Sequence, residues 1–171
     1  MSNIFPRLPR KSLMVEKSLL KKNLEGKTAV ITGANSGIGK TTTLQLASQG
    51  AHVIMACRNL KKAEYISHKF NSKKSNIGKI TPMHIDLSDL STIRTFSEKV
   101  KSTVDGIDML VNNAGVMNTK KGLTKDGFET QFGINHLGHV LLTELLSKLI
   151  EKSSPSRIVN ISSSFHIATP A

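Results

Sequence analysis

The chain has 171 residues, is 38% hydrophobic with 12 glycines, and carries a formal net charge of +12. That length and apolar content suit one domain with a sizeable core and exclude a chain disordered throughout. A single cysteine, Cys57, excludes an internal disulfide and fits a reducing compartment. With 4% aromatic residues and no tryptophan there is no base-stacking platform, so the scattered positive charge reads as solvated surface and no nucleic-acid partner is expected.

Residues 1–25 read as a basic leader, with Arg7, Arg10, Lys11, Lys17, Lys21 and Lys22 against Glu16. The apolar positions from Leu13 to Leu20 can form one amphipathic helix. An unpacked leader, a mitochondrial presequence and a surface-lying anchor all fit it, so membrane association through this segment stays open. No run approaches the roughly eighteen apolar residues of a membrane span. The expected setting is intracellular: cytoplasmic first, with mitochondrial or membrane-peripheral alternatives.

From residue 26 onward strands and helices alternate. Lys27–Thr32 is a short β-branched run. Gly37–Gln49 has helical spacing and is closed by Gly50. Ala51–Ala56 is a second strand and Leu60–Phe70 a second helix. A polar loop leads to a third strand, Lys79–Ile85. Ser88 can cap a third helix reaching about Val100. Ile107–Val111 is a fourth strand. Phe128–Ile150 is a long helix with Phe132, Leu137, Leu141, Leu145 and Leu149 along one face, and Arg157–Ile161 is a fifth strand. Alternating βαβ units imply a doubly wound parallel sheet of the Rossmann type in the order 3-2-1-4-5, over residues 26–171.

The most informative stretch joins the first strand to the first helix: Thr32-Gly33-Ala34-Asn35-Ser36-Gly37-Ile38-Gly39-Lys40. Glycine tolerates the tight turn and lets a pyrophosphate approach the backbone, while the helix start offers free N–H groups and the positive end of its dipole. Asn35 and Ser36 can cap the helix and brace the loop. At the end of the second strand an acid would favour NAD, and an arginine NADP. The chain reads Met55-Ala56-Cys57-Arg58-Asn59, so Arg58, with Lys40 in support, points to NADP. Cys57 is most simply a small buried residue. His136 and His139 are spaced i, i+3 with no third ligand nearby, so no metal site is expected.

From Gly26 to Ser164, roughly four-fifths of the chain, the residues resemble the short-chain dehydrogenase/reductases, particularly the retinol-dehydrogenase-like branch. The blocks are T-G-A-N-S-G-I-G-K at 32–40, A-C-R-N at 56–59, D-L-S at 86–88, N-N-A-G at 112–115, F-G-I-N-H-L-G-H at 132–139 and R-I-V-N-I-S-S at 157–163. The resemblance implies that Asp86 and Leu87 frame the adenine and that Asn113, Ala114 and Gly115 line the turn under the cofactor. Asn135 would be the active-site asparagine and Ser163 the carbonyl-polarising serine. It also implies hydride transfer between NADP and a hydrophobic alcohol or carbonyl.

The family's proton donor is a tyrosine in Tyr-x-x-x-Lys, downstream of the serine. The eight residues after Ser163 contain neither residue type. Tyr65 and Lys69 fit the string by chance, on the second helix. The chain is therefore expected to be the cofactor-binding part of an oxidoreductase, without its last strands and inactive alone. The alternative is a non-catalytic cofactor- or partner-binding protein. Oligomeric state is not readable.

Overall fold

The computed structural model describes residues 16–73, 77–117 and 119–163. Five parallel strands run through it: β1 (Thr28–Thr32), β2 (His52–Cys57), β3 (Lys79–His84), β4 (Met109–Asn112) and β5 (Arg157–Asn160). Their order is β3-β2-β1-β4-β5, as expected. Between them lie α1 (Gly37–Ser48), α2 (Leu60–Asn71), α3 (Leu90–Lys101), α4 (Thr130–Phe132) and α5 (Gly138–Lys152).

A parallel sheet covered on both faces needs runs of apolar residues without alternation. In β2, Val53 to Ala56 are all fully buried. Alternate side chains feed two cores. Val30, Ile54, Met83 and Leu110 pack with Ile93 and Phe96 of α3 and Leu142 and Leu146 of α5. Ile31, Val53, Met55 and Ile80 pack with Ala47 of α1 and Ala63, Ile66 and Phe70 of α2. Each fully buried large aliphatic side chain contributes about 1.5–3 kcal/mol.

At the end of the sheet opposite the strand C-termini, Asp108 stitches three strands. Its carboxylate takes the Thr28 amide and the Lys27 ammonium, both at 2.8 Å, and its carbonyl takes the Arg157 amide. Nearby, the final part of the leader is strapped to α1. The Gln49 amide donates to the carbonyls of Leu19 and Lys22, at 2.9 and 3.0 Å, and Leu24 N–H donates to the Gln49 carbonyl. Leu19–Lys21 form a single 3₁₀ turn. The expected leader helix falls partly on residues 1–15, outside the described residues.

Several local expectations are corrected. The cap of α3 is Asp89, not Ser88: its carboxylate takes the Ser91 amide at 2.9 Å. Ser88 is drawn backward instead, its amide and hydroxyl both donating to Asp86 Oδ1. Lys125 first, then Ser91, hold the Asp89 carboxyl down at about 2. The fourth strand starts two residues late, at Met109. The long helix begins at Thr130 because Glu129 caps it, accepting from the Gln131 and Phe132 amides.

A π-helical turn, Gly133–Leu137, interrupts that helix. The extra residue per turn shifts its phase. Leu142 and Leu146 carry the buried face, Leu141 and Leu145 flank it, and Phe132 is 53% exposed. All four residues of β5 are exposed, with Ile158 and Val159 uncovered at the sheet edge.

Candidate functional site

A cleft of about 530 Å³ opens at the C-terminal ends of β1 to β4, across the point where the strand order reverses. This is where ligands bind in open α/β sheets, and the size lies within the roughly 300–1,000 Å³ of small-ligand sites. Its lining includes Gly33, Asn35, Ser36, Gly37, Ile38, Arg58, Asp86, Leu87, Asn113, Ala114 and Gly115. Four separate stretches of the sequence thus meet on one surface.

The glycine turn is tightly built. Gly33 has φ +63°, and a Cβ there would lie 3.0 Å from the Ala114 backbone. A Cβ on Gly39 would stand 2.6 Å from the Gly33 carbonyl. The turn and the start of α1 therefore close on each other only without side chains. Ala34 is fully buried beneath the turn, and neither it nor Gly39 lines the cleft.

Asn35 braces the turn, its amide donating to the Asn59 carbonyl at 3.1 Å. Ser36 occupies the cap position of α1 but makes no side-chain capping bond. The expected capping by both residues is thus only bracing by one. The start of α1 keeps amides that no capping side chain has taken, facing the cleft, which suits an anion.

Thr32 organises the floor. Its buried Oγ1 accepts the amides of Asn113 and Ala114, each at 2.9 Å, and lies 2.9 Å from His139 Nε2. Asn113 Nδ2 returns a bond to the Thr32 carbonyl at 2.9 Å. The ends of β1 and β4 are locked together at the cleft. On the opposite wall, Asp86 is folded onto Ser88 and Leu87 is nearly buried. Arg58 lines the cleft but Lys40 does not. The Cys57 thiol also faces it; burial pushes that thiol up to about 11, against a weaker opposing pull from the Ala34 and Asn35 amides.

Asn135 and Ser163 are not among the lining residues. Asn135 lies in the π-helical turn, exposed, with both side-chain atoms on Val116: the Val116 amide donates to Oδ1 and Nδ2 donates to the Val116 carbonyl, each at 2.8 Å. Ser163 is exposed, three residues beyond β5. Ser164 lies outside the described residues. Tyr65 stands 69% exposed on α2, away from the cleft lining. His136 and His139 do not converge: His136 tilts onto the Phe132 ring, while His139 turns inward to Thr32.

Cleft residues to which sequence alone assigned no individual role include Thr32, Asn59, Ile85, Val116, Ile134 and Ile161. Thr32, Asn59, Ile134 and Ile161 lie inside quoted blocks, while Ile85 and Val116 each sit one residue beside one. His139 was inside a quoted block, but its contact with Thr32 spans 107 residues and has no local signal.

A glycine turn feeding an open helix start, at the switch point of a doubly wound parallel sheet, defines a Rossmann-type dinucleotide fold. Residues 27–168 match the model of the short chain dehydrogenase family, and the chain belongs to that family. It is similar to retinol dehydrogenase 13 of Homo sapiens, 46% identical over 148 residues, which cover 86% of this chain and 44% of the relative. Retinol dehydrogenase 12 of Mus musculus is 45% identical over 144 residues, 84% of this chain and 45% of the relative. The chain thus spans less than half the length of these curated relatives.

Among solved structures, an uncharacterized protein from Mycobacterium paratuberculosis superposes with a TM-score of 0.73 at 42% identity, covering 85% of this chain and 49% of that one. A metagenomic short-chain oxidoreductase in complex with NADP gives 0.69 at 29% identity, covering 82% and 63%.

Proposed function

We propose that the chain is the cofactor-binding part of an NADP-dependent oxidoreductase that moves hydride between the nicotinamide and a hydrophobic alcohol or carbonyl. The observation that carries this reading is the cleft itself, where an uncapped helix start, Gly33 packed against backbone and Arg58 share one surface. The retinol dehydrogenases among its relatives support the substrate class, and the NADP complex among its structural neighbours supports the cofactor.

The fit is chemical as well as spatial. The α1 amides would take the pyrophosphate, and Arg58 would pair with a 2′-phosphate as a planar, always-charged donor. Asp86 and Leu87 would flank the adenine. Asn113, Ala114 and Gly115 would leave room for the ribose and nicotinamide, over a floor that Thr32 keeps rigid. The cofactor, when bound, supplies the hydride. Asn135 would help to position the proton relay, and Ser163 would polarise the substrate carbonyl.

Residues 1–171 hold no tyrosine or lysine after Ser163 to complete that relay, so this stretch alone should bind cofactor without turnover. Titration of the folded chain with NADPH and NADH tests the reading: NADPH should bind more tightly, and Arg58→Asp should reverse the preference. An unchanged ratio would remove Arg58 from the site. Oxidation of NADPH by this chain with a long-chain aldehyde would refute the inactive assignment.

A further inference from the structure

We propose that His139 is a positioning residue of the cleft: its neutral ring accepts the Thr32 hydroxyl proton on Nε2 and donates its own Nδ1 proton to the Asn135 carbonyl, so that one imidazole latches the cleft floor to the π-helical turn. The inference rests on reading the cleft as a cofactor site, and it adds a proton-sensitive support beneath it.

The proton positions follow from counting. A hydroxyl has one proton and two acceptor lone pairs. Thr32 Oγ1 accepts from Asn113 N–H and from Ala114 N–H, both at 2.9 Å, which uses both lone pairs. Its proton must go to an acceptor. His139 Nε2 stands at 2.9 Å and the Val111 carbonyl at 3.4 Å, so the ring nitrogen is the nearer partner. Nε2 is then unprotonated, and the neutral ring carries its proton on Nδ1, 3.0 Å from the Asn135 carbonyl. A charged ring would place a second N–H against a hydroxyl with no lone pair left. The latch therefore works only while His139 is neutral.

The surroundings favour that state. The residue is 6% exposed, and burial, aided by the like charge of His136, lowers its pKa against the weaker pull of the Asn135 carbonyl. The groups facing it from β1 and the β4 turn, Thr32, Asn113 and Ala114, are uncharged. From the β3 side Asp86 lines the cleft, its carboxylate taken by Ser88. The helix packs closely here: a Cβ on the neighbouring Gly138 would lie 2.9 Å from the Leu87 carbonyl.

Nitrogen NMR of the imidazoles in the full 171-residue chain reads the tautomer directly. An Nδ1–H ring for His139 near neutral pH is expected; an Nε2–H ring overturns the assignment, whatever the chain binds. NADPH titrations supply the second test. His139→Leu should weaken binding about tenfold, the worth of one lost buried hydrogen bond. His139→Gln, which returns an acceptor to Thr32 but cannot titrate, should recover most of that loss.

Once pH falls far enough below 6.5 to protonate the buried ring, wild type should also lose affinity, by about tenfold more than His139→Gln does. The 2′-phosphate titrates alike in both proteins and cancels from the comparison. Parallel pH profiles for the two would overturn the latch. If His139→Leu fails to fold, the tautomer and the His139→Gln profile decide without it. If folded wild type binds no NADPH, the cofactor reading fails separately. Amide exchange at Asn113 and Ala114, expected to quicken at low pH in wild type relative to His139→Gln, then decides the latch alone, and equal rates would sink it.

Discussion

The two flanks of the sheet differ in enclosure. On the β2 side, Val53 through Ala56 are fully buried between α1, α2 and the opposite core. On the β5 side every residue is exposed, and Ile158, Val159 and Ile161 show 43–47% of their surface. Among the described residues, the cleft draws almost all of its lining from the enclosed flank and its junction with β4, with Ile161 alone from beyond β5. The proposed dinucleotide site and the stability of the fold therefore share the same packed region. The two groups proposed for the chemistry, Asn135 and Ser163, are both exposed.

Four substitutions or conditions can break that contrast. Ile54→Ala, in the centre of the enclosed flank, should cost about 2–5 kcal/mol in denaturant unfolding. Gly39→Ala should cost about 1–3 kcal/mol by overpacking, because its new Cβ meets the Gly33 carbonyl, and should weaken NADPH binding with it. Val159→Lys on the open edge should change stability by no more than about 0.5 kcal/mol while reducing self-association measured by light scattering. A loss at Val159 comparable to that at Ile54 would mean the β5 edge is covered in solution.

The pH dependence sharpens the comparison further, with the smallest expected effect. His52 and His139 both have pKa values lowered from 6.5, chiefly by burial. As pH falls below 6.5 the unfolded chain takes up protons that the folded chain resists, so stability should decline through that window and level off below the folded values. His52 lies on the enclosed flank, bonded to Thr81 at 2.8 Å, and His139 beneath the junction. Replacing both with glutamine should flatten the unfolding midpoint across that range.

Strand order and the glycine turn could be read from the chain because each is a local pattern: an apolar run, a turn, an amphipathic run. The misses come where two local signals compete or where the contact is distant. Ser88 and Asp89 are both good caps, and only the pull of Asp86 on Ser88 decides between them. On the long helix Leu149 is buried and Leu141 and Leu145 pack against the core as expected, but Phe132 is exposed, because the π-helical turn between them shifts the phase without any marker residue. The role of Thr32 depends on Asn113, Ala114 and His139, all about eighty or more positions away.

The grip of Gln49 on the carbonyls of Leu19 and Lys22 has a practical corollary for handling the protein. An affinity tag or a processing cut placed ahead of Glu16 leaves that clasp intact. Trimming beyond Lys22 would strip the side chain of both partners and loosen the segment that feeds Leu24 into the core. The latest safe start for a shortened version therefore lies ahead of Leu19, several residues upstream of the first strand.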